Sequence, residues 1–491
     1  MYMDDNQNND KNQFETPQPL QPEEVAADIQ SPDEIRGNIS DSFAEVPVYE
    51  EKQNKWKLFA AIGGVFVVIF GLIIWFFFRG NETPANPIAP AKKAVTLTYW
   101  GLWDEEAIFK PVFDAYMKKN KHVTIKYEKM APDQYRERLL ARSKTGNGPD
   151  IFRFHNTWVP EIKEVLTKIP DTTMSKKDFE STFYPVHAKD LNIDGNYYGL
   201  PFMIDGSVLI YNDTLLKQAG LEIPPSCWVC DNNDVFSAAN KLTVRDNENN
   251  IVTSGIALGT ASNIEHYGEA FGVLLLLNGG DLTKLDKPEA AESLGIYRKF
   301  AEDNYWSEAM PNSISAFIEG KAAMIIAPSW HVINIKAQNP ELQVKVAPVP
   351  RGLTNTSISV SNYWVEGVNI NSKNQVEAWN LLSFMIQKEN LAAIYKAQAE
   401  KRAFGIIYSR RDMADLLKDN PYLYPVIQTA QEDGFVSLPL VTRTYDNGLN
   451  DDILQYIQDA INSTENGVSY ESALSTASRG IKQVYERYKI Q

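Results

Sequence analysis

The chain has 491 residues, 44% hydrophobic and 11% aromatic, with a formal net charge of −15. Such a length predicts two or three domains, and this composition can fill a substantial core. Residues 1–53 hold thirteen Asp/Glu against three Lys/Arg, a net −10 of that total, which leaves −5 for the rest; that balance argues against nucleic acid as a partner, because phosphate binding needs clustered basic residues.

Residues 1–55 are rich in Asn, Gln and Pro, poor in aromatics and acidic, so they are expected to form a disordered cytoplasmic tail. Leu58–Phe78 runs twenty-one residues without a charge. As a helix it would span about 30 Å, the thickness of a bilayer's hydrocarbon core. Residues 56–79 are therefore expected to be a single transmembrane helix. Lys52, Lys55 and Lys57 before it orient the N-terminus inward and leave the rest of the chain extracellular. Trp56 and Trp75 suit the two interfaces. A cleaved signal peptide would carry a shorter apolar region nearer the start, and no cysteine flanks the run for a lipoprotein anchor. Residues 80–94 (NETPANPIAPAKK and its flanks) are a Pro/Ala linker that would hold a domain off the membrane.

The folded part opens with a strand at Thr96–Trp100. A helical pattern follows, with Ile108, Phe109, Val112, Phe113 and Tyr116 on one face. Val123–Tyr127 reads as a strand, Gln134–Ser143 as a helix and Asp150–Phe154 as a strand. This β-α-β-α-β alternation predicts a parallel sheet covered by helices. Later, Ala322–Ala327 and Val344–Pro348 read as strands and Gln375–Gln387 as a helix. Two amphipathic helices close the chain, around Ile453, Leu454, Ile457 and Ile461, then around Ala473, Ala477, Ile481 and Val484.

Cys227 and Cys230 are the only cysteines. Outside the cell they are expected to close a local disulfide. The alternative is a redox pair, with Asp231-Asn232-Asn233 opening a helix that lowers a thiol pKa, although no small βαβ unit surrounds the motif. The sequence lacks G-x-x-x-x-G-K-[ST], H-E-x-x-H, G-x-S-x-G and G-x-G-x-x-G, and its five histidines show no ligand spacing. No cofactor or metal is expected.

Several blocks resemble the carbohydrate-binding family of extracellular solute-binding proteins of ABC importers, which includes maltose-binding protein. They are Thr96-Leu97-Thr98-Tyr99-Trp100-Gly101 with Gly146-Asn147-Gly148-Pro149-Asp150-Ile151-Phe152; Tyr198-Gly199-Leu200-Pro201 with Ile210-Tyr211-Asn212-Asp213, Ala219-Gly220-Leu221 and Pro224-Pro225; Phe317 through Met324 with Ser329-Trp330; and the C-terminal helices. Two stretches depart from the family pattern, Ser226–Asp231 and Tyr408-Ser409-Arg410-Arg411. The resemblance implies an α/β, two-lobed periplasmic-binding-protein-like fold over 95–491, lobe 1 being about 95–208 and 348–395, lobe 2 about 212–345 and 400–491. It also implies a non-enzymatic role, in which a membrane-anchored receptor captures a carbohydrate and hands it to ABC permease subunits. A glycoside hydrolase with two carboxylates across its substrate and a sensory module acting through the acidic tail are the alternatives.

In a two-lobed α/β protein the ligand lies at the C-terminal ends of the strands. Sugars need aromatic faces for their C–H surfaces, with carboxylates or amides for their hydroxyls. The loops expected to supply them carry Trp100, Trp103 and Asp104; His155, Asn156 and Trp158; Asp205 near a hinge; Trp330; and Tyr363 with Trp364. Glu265 and Tyr267, and Arg443 with Tyr445, are further candidates. Any one of these aromatics serves core packing equally well.

Overall fold

The computed structural model describes residues 93–490 except 231–232, 353–356 and 446. The acidic tail, the apolar run Leu58–Phe78 and most of the linker lie outside the described residues. Among the described residues, no helix is long and apolar enough to cross a membrane.

The first sheet contains five strands. Strand β1 (Val95–Gly101) lies between β2 (Val123–Lys129) and β3 (Ile151–His155), and all three are parallel. The helix Glu106–Lys119 buries the five residues on its apolar face, Ile108, Phe109, Val112, Phe113 and Tyr116. Beyond β3 the order continues with β9 (Trp364–Val368) and then β4 (Leu200–Pro201). The parallel arrangement expected for β1 to β3 holds, but β9 departs from it and runs antiparallel to both neighbours. The reason is topological. The chain leaves this lobe on β4 and comes back on β9, so the two run in opposite senses.

The second sheet repeats that logic and is wholly antiparallel. Its middle strand, β5 (Ser207–Asn212), enters the second lobe; β7 (Val344–Ala347) leaves it; β6 (Met324–Pro328) pairs with the other edge of β5. Every residue of β5 is buried. Val208 and Ile210 join one apolar cluster and Leu209 and Tyr211 the other, as expected where helices cover both faces.

Three connections join the lobes side by side. Gly206 is bridged to Ser361, the Ser359 hydroxyl donates to the Ser207 carbonyl at 2.6 Å, and β8 (Ser359–Val360) pairs parallel with β10 (Phe435–Val436). A Cβ on Gly206 would meet Phe435 at 2.2 Å and the Val360 carbonyl at 2.6 Å, so only glycine allows this approach. The lobe boundaries expected from the sequence need one correction. Residues after 400 do not pass straight to lobe 2: Tyr408 bridges Met203, Arg410 bridges Phe183, and Ser409 donates to the Pro201 carbonyl at 2.7 Å. Lys189 pairs with Asp433 at 3.1 Å, so the chain is still beside lobe 1 at that point, while Leu440, Leu449 and Ile453 bury in the apolar cluster that holds Leu209 and Tyr211. The third crossing therefore falls near Phe435 and not between residues 395 and 400. The C-terminal helices, Leu449–Glu465 and Tyr470–Tyr488, then pack on each other with buried Ile453, Ile457, Ala477 and Ile481.

The Cys227–Cys230 disulfide is formed. Its loop is held to the second crossing, with Trp228 N–H donating to the Arg351 carbonyl at 3.0 Å and Arg351 N–H to the Ser226 carbonyl at 2.9 Å.

Candidate ligand-binding site

The loops after the strand ends enclose a cavity of about 370 Å³, within the usual range for small-molecule sites. Seven of the residues expected from the sequence line it: Trp103, Asp104, Asp205, Trp330, Trp364, Arg443 and Tyr445. Trp103 follows β1, and its position is fixed from beneath. Gly101 leaves room for Tyr127, whose hydroxyl donates to the Asp104 carbonyl at 2.8 Å. Trp103 packs edge-on to Trp364, centroids 5.6 Å apart, and lies 5.8 Å from Tyr445. It remains 40% exposed, the most accessible tryptophan face at the site.

Trp103, Arg443 and Tyr445 all have positive φ (68°, 58° and 58°). A non-glycine residue held there costs on the order of 1–3 kcal/mol. Three such residues lie at this one cavity.

The floor is charged. Asp104 accepts from Gln398 at 2.9 Å and Arg402 at 3.4 Å, and lies 3.8 Å from Arg153. Arg153 donates through Nε to Glu366 at 2.6 Å and through Nη1 to the Leu102 carbonyl at 3.1 Å. Burial is the largest single influence on Arg153 and opposes its charge, but Glu366, Tyr99, Tyr127 and Asp104 together outweigh it and raise the guanidinium's pKa. Burial lowers the pKa of Arg402, and Asp104 opposes that shift. Arg443 is paired with Glu265.

At the rear, Asp205 is 2% exposed. It accepts from Gly206 N–H at 2.7 Å, Ser329 N–H at 3.3 Å, the Ser329 hydroxyl at 3.0 Å and Trp330 N–H at 3.3 Å. Burial pushes its pKa up to about 7 against the pull of those donors. Trp330 is held from two sides, by this carboxylate at its backbone and by the His331 ring, which stacks on the indole at 3.8 Å.

The other expected residues lie outside the cavity. Trp158 is fully buried, packed on Tyr135 and edge-on to Trp364. Trp100 is buried and donates to Glu128 at 3.1 Å. His155 approaches Asn362 at 3.1 Å, and Asn362 does reach the cavity. Asn156 and Tyr363 both donate to half-buried Asp190, at 3.2 and 2.5 Å. Glu265 stands behind Arg443, and the Tyr267 hydroxyl donates to the Leu454 carbonyl at 3.1 Å. His155 and Trp158 pack against Trp364, and Glu265 pairs with Arg443, from behind the lining; strand ends place a side chain near a cleft without deciding which way it faces.

Sequence reasoning missed Arg153, Asn334, Asn362, Arg402 and the Phe404–Ile407 segment, all of which line the cavity. Arg153 carried a signal, a charge inside the otherwise apolar strand Ile151–His155, matched by Glu366 inside Trp364–Val368. The Phe404 segment carried none, because it comes to the cavity only through the late course of the chain in lobe 1.

A family model described as bacterial extracellular solute-binding protein matches residues 112–404. A binding protein of Brucella abortus is 25% identical over 290 residues, covering 57% of this chain and 69% of that protein. The maltodextrin-binding protein of Bacillus subtilis is 24% identical over 339 residues, covering 64% of this chain and 74% of that one. The crystal structure of the cyclic alpha-maltosyl-1,6-maltose binding protein from Arthrobacter globiformis superposes with a TM-score of 0.65 at 20% identity, over 80% of this chain and all of the other. That likeness establishes the two-lobed fold.

Proposed function

The chain belongs to the bacterial extracellular solute-binding protein family, and from that premise we propose that it binds a carbohydrate, in the size range of an oligosaccharide, and delivers it to an ABC permease. The observation that carries the reading is the cavity lining of Trp103, Trp364 and Tyr445 packed together, with Trp330, beside the Asp104–Arg402 pair. Indole faces take the C–H surface of a pyranose, while the charged and amide groups exchange hydrogen bonds with its hydroxyls. The relatives named for maltodextrin and cyclic maltosyl ligands support a glucose-based oligosaccharide as the first class to test.

The role is capture and release. Ligand held by groups of both lobes favours the closed arrangement, which is the form a permease would select. The apolar run Leu58–Phe78 supports a membrane-tethered receptor with its acidic tail inside and the binding domain outside. Protease added to intact cells should digest the domain and spare the tail; a mature chain beginning near Ala94 would contradict the tether.

A thermal-shift screen of the full-length protein against maltodextrins, chito-oligosaccharides and manno-oligosaccharides tests the ligand class. A sugar at 100 times its Kd stabilises by about 2.7 kcal/mol. A panel without any shift, or release of reducing sugar from a bound oligosaccharide, would sink the transport reading.

A further inference from the structure

Behind Trp330, and outside the cavity, lies a cluster that the binding of a sugar does not use. We propose that Glu265, His266 and His331 form a site for one divalent first-row transition-metal ion, with zinc the ion best suited to the donors. Their ligand atoms all lie within 4.8 Å of one another. Two imidazoles and a carboxylate are a common zinc donor set. His266 and His331 are 1% and 2% exposed, and each is fixed at the start of a helix, Tyr267–Leu277 and His331–Gln338.

A second observation points the same way. His266 Nδ1 lies 2.8 Å from Glu269 Oε1. With Nδ1–H donating there, the Nε2 lone pair is directed at the His331 Nε2, the carboxylate–histidine arrangement that orients a metal ligand. Glu269 is fully buried, and among the described residues no lysine or arginine pairs with it. Its Oε1 takes Thr442 N–H and hydroxyl at 2.9 and 3.0 Å, while Oε2 has no hydrogen-bond partner. A buried carboxylate demands compensating charge, and a cation bound through His266 supplies it. The two helix N-termini favour anions, so the site depends on Glu265 and Glu269 for its negative charge.

The two Nε2 atoms are 2.7 Å apart, one donating to the other. An ion held at about 2.0–2.1 Å from each needs a separation of about 3.3 Å at a tetrahedral angle, so a small rotation of either ring opens the site. Glu265 turns one oxygen from Arg443 to the ion and keeps the other on Asn312 Nδ2, now 3.0 Å away.

The test uses the full-length protein in detergent, stripped with chelator and titrated with Co²⁺ and with Zn²⁺. One equivalent is expected to bind, with the visible absorption of a four- or five-coordinate Co²⁺ centre. His266→Gln and His331→Gln should each weaken binding more than a hundredfold, and Glu269→Gln roughly tenfold to a hundredfold. His122→Gln, remote from the cluster, should leave it unchanged. If the histidine variants do not fold, Glu265→Gln and Glu269→Gln give the same reading. Absence of a Co²⁺ spectrum, or binding undiminished in the variants that fold, overturns the proposal and leaves the pair as a hydrogen-bonded dyad. Sugar affinity is a separate measurement and does not decide it.

Discussion

The Asp205 carboxylate accepts the Ser329 hydroxyl at 3.0 Å and Trp330 N–H at 3.3 Å, tying the first crossing between the lobes to the turn that presents Trp330. One residue therefore senses both the hinge and the far wall of the cavity. Its protonation has consequences for stability that can be signed.

The folded pKa of Asp205 is raised from 3.8 to about 7. Between those values the native state keeps a proton that the unfolded chain has released, so this group's contribution is full below about pH 4 and is lost as pH rises through 7. The difference is at most about 4 kcal/mol. Asp205→Asn removes the titration and keeps the shape. Urea unfolding of parent and variant at several pH values should show the parent losing its relative advantage from pH 4 to 7. Parallel profiles would mean that the four donors keep the carboxylate ionised in the native state.

The tryptophans divide by burial. Trp103→Ala and Trp330→Ala each remove a cavity face and should weaken oligosaccharide binding by about 1–3 kcal/mol, roughly tenfold to a hundredfold, with little change in unfolding. Trp158→Ala empties a fully buried site and should instead destabilise by about 3–5 kcal/mol. Calorimetric titration beside chemical unfolding separates the two effects. A large affinity loss in Trp158→Ala with unchanged stability would reverse the assignment.

Arg153 and Glu366 form a buried ion pair at 2.6 Å beneath the cavity. Removing one partner leaves an uncompensated charge, so Arg153→Met alone should cost about 3–5 kcal/mol. Adding Glu366→Leu should recover most of that stability, since a well-packed apolar pair is close to neutral in such sites. With the fold restored, any remaining loss of sugar affinity reports what Arg153 supplies at the cavity, its own polar face there and its hold on Asp104. If the double variant is no more stable than the single one, packing and not charge governs the site.

The first lobe was legible because its signals are local. The 3.6-residue spacing of Ile108, Phe109, Val112, Phe113 and Tyr116 became the buried face of one helix, and Val123, Ile125 and Tyr127 alternate inward along β2. The antiparallel second sheet was not legible, because strand direction depends on which strand a returning chain joins. Nor was the long stay of residues 400–435 in lobe 1, which rests on pairings such as Tyr408 with Met203. At the site, strand-end position found Trp103 and Trp364 but could not tell them from Trp158, since a one-residue change in direction turns a side chain from cavity to core. Arg402 entered through Asp104, 298 residues earlier, a contact no local pattern encodes.

The hinge makes the last prediction. The three crossings meet where Gly206 passes Phe435 and the Val360 carbonyl, too close for any side chain. Closure on a ligand is expected to pivot there, because among the described residues these segments connect the halves, while the proposed ligand groups sit on both: Trp103 and Trp364 beside strands of the first sheet, Trp330 beyond β6 of the second. Spin labels at Lys126→Cys and Lys284→Cys, one exposed position on each lobe, should report a shorter distance once a tightly binding oligosaccharide is added. Gly206→Val forces the crossings apart, so it should alter the ligand-free distance and weaken binding even though no ligand contact is touched. A distance unchanged by saturating sugar would show capture without closure, and a Gly206→Val protein with the parent's distances and affinity would place the pivot elsewhere.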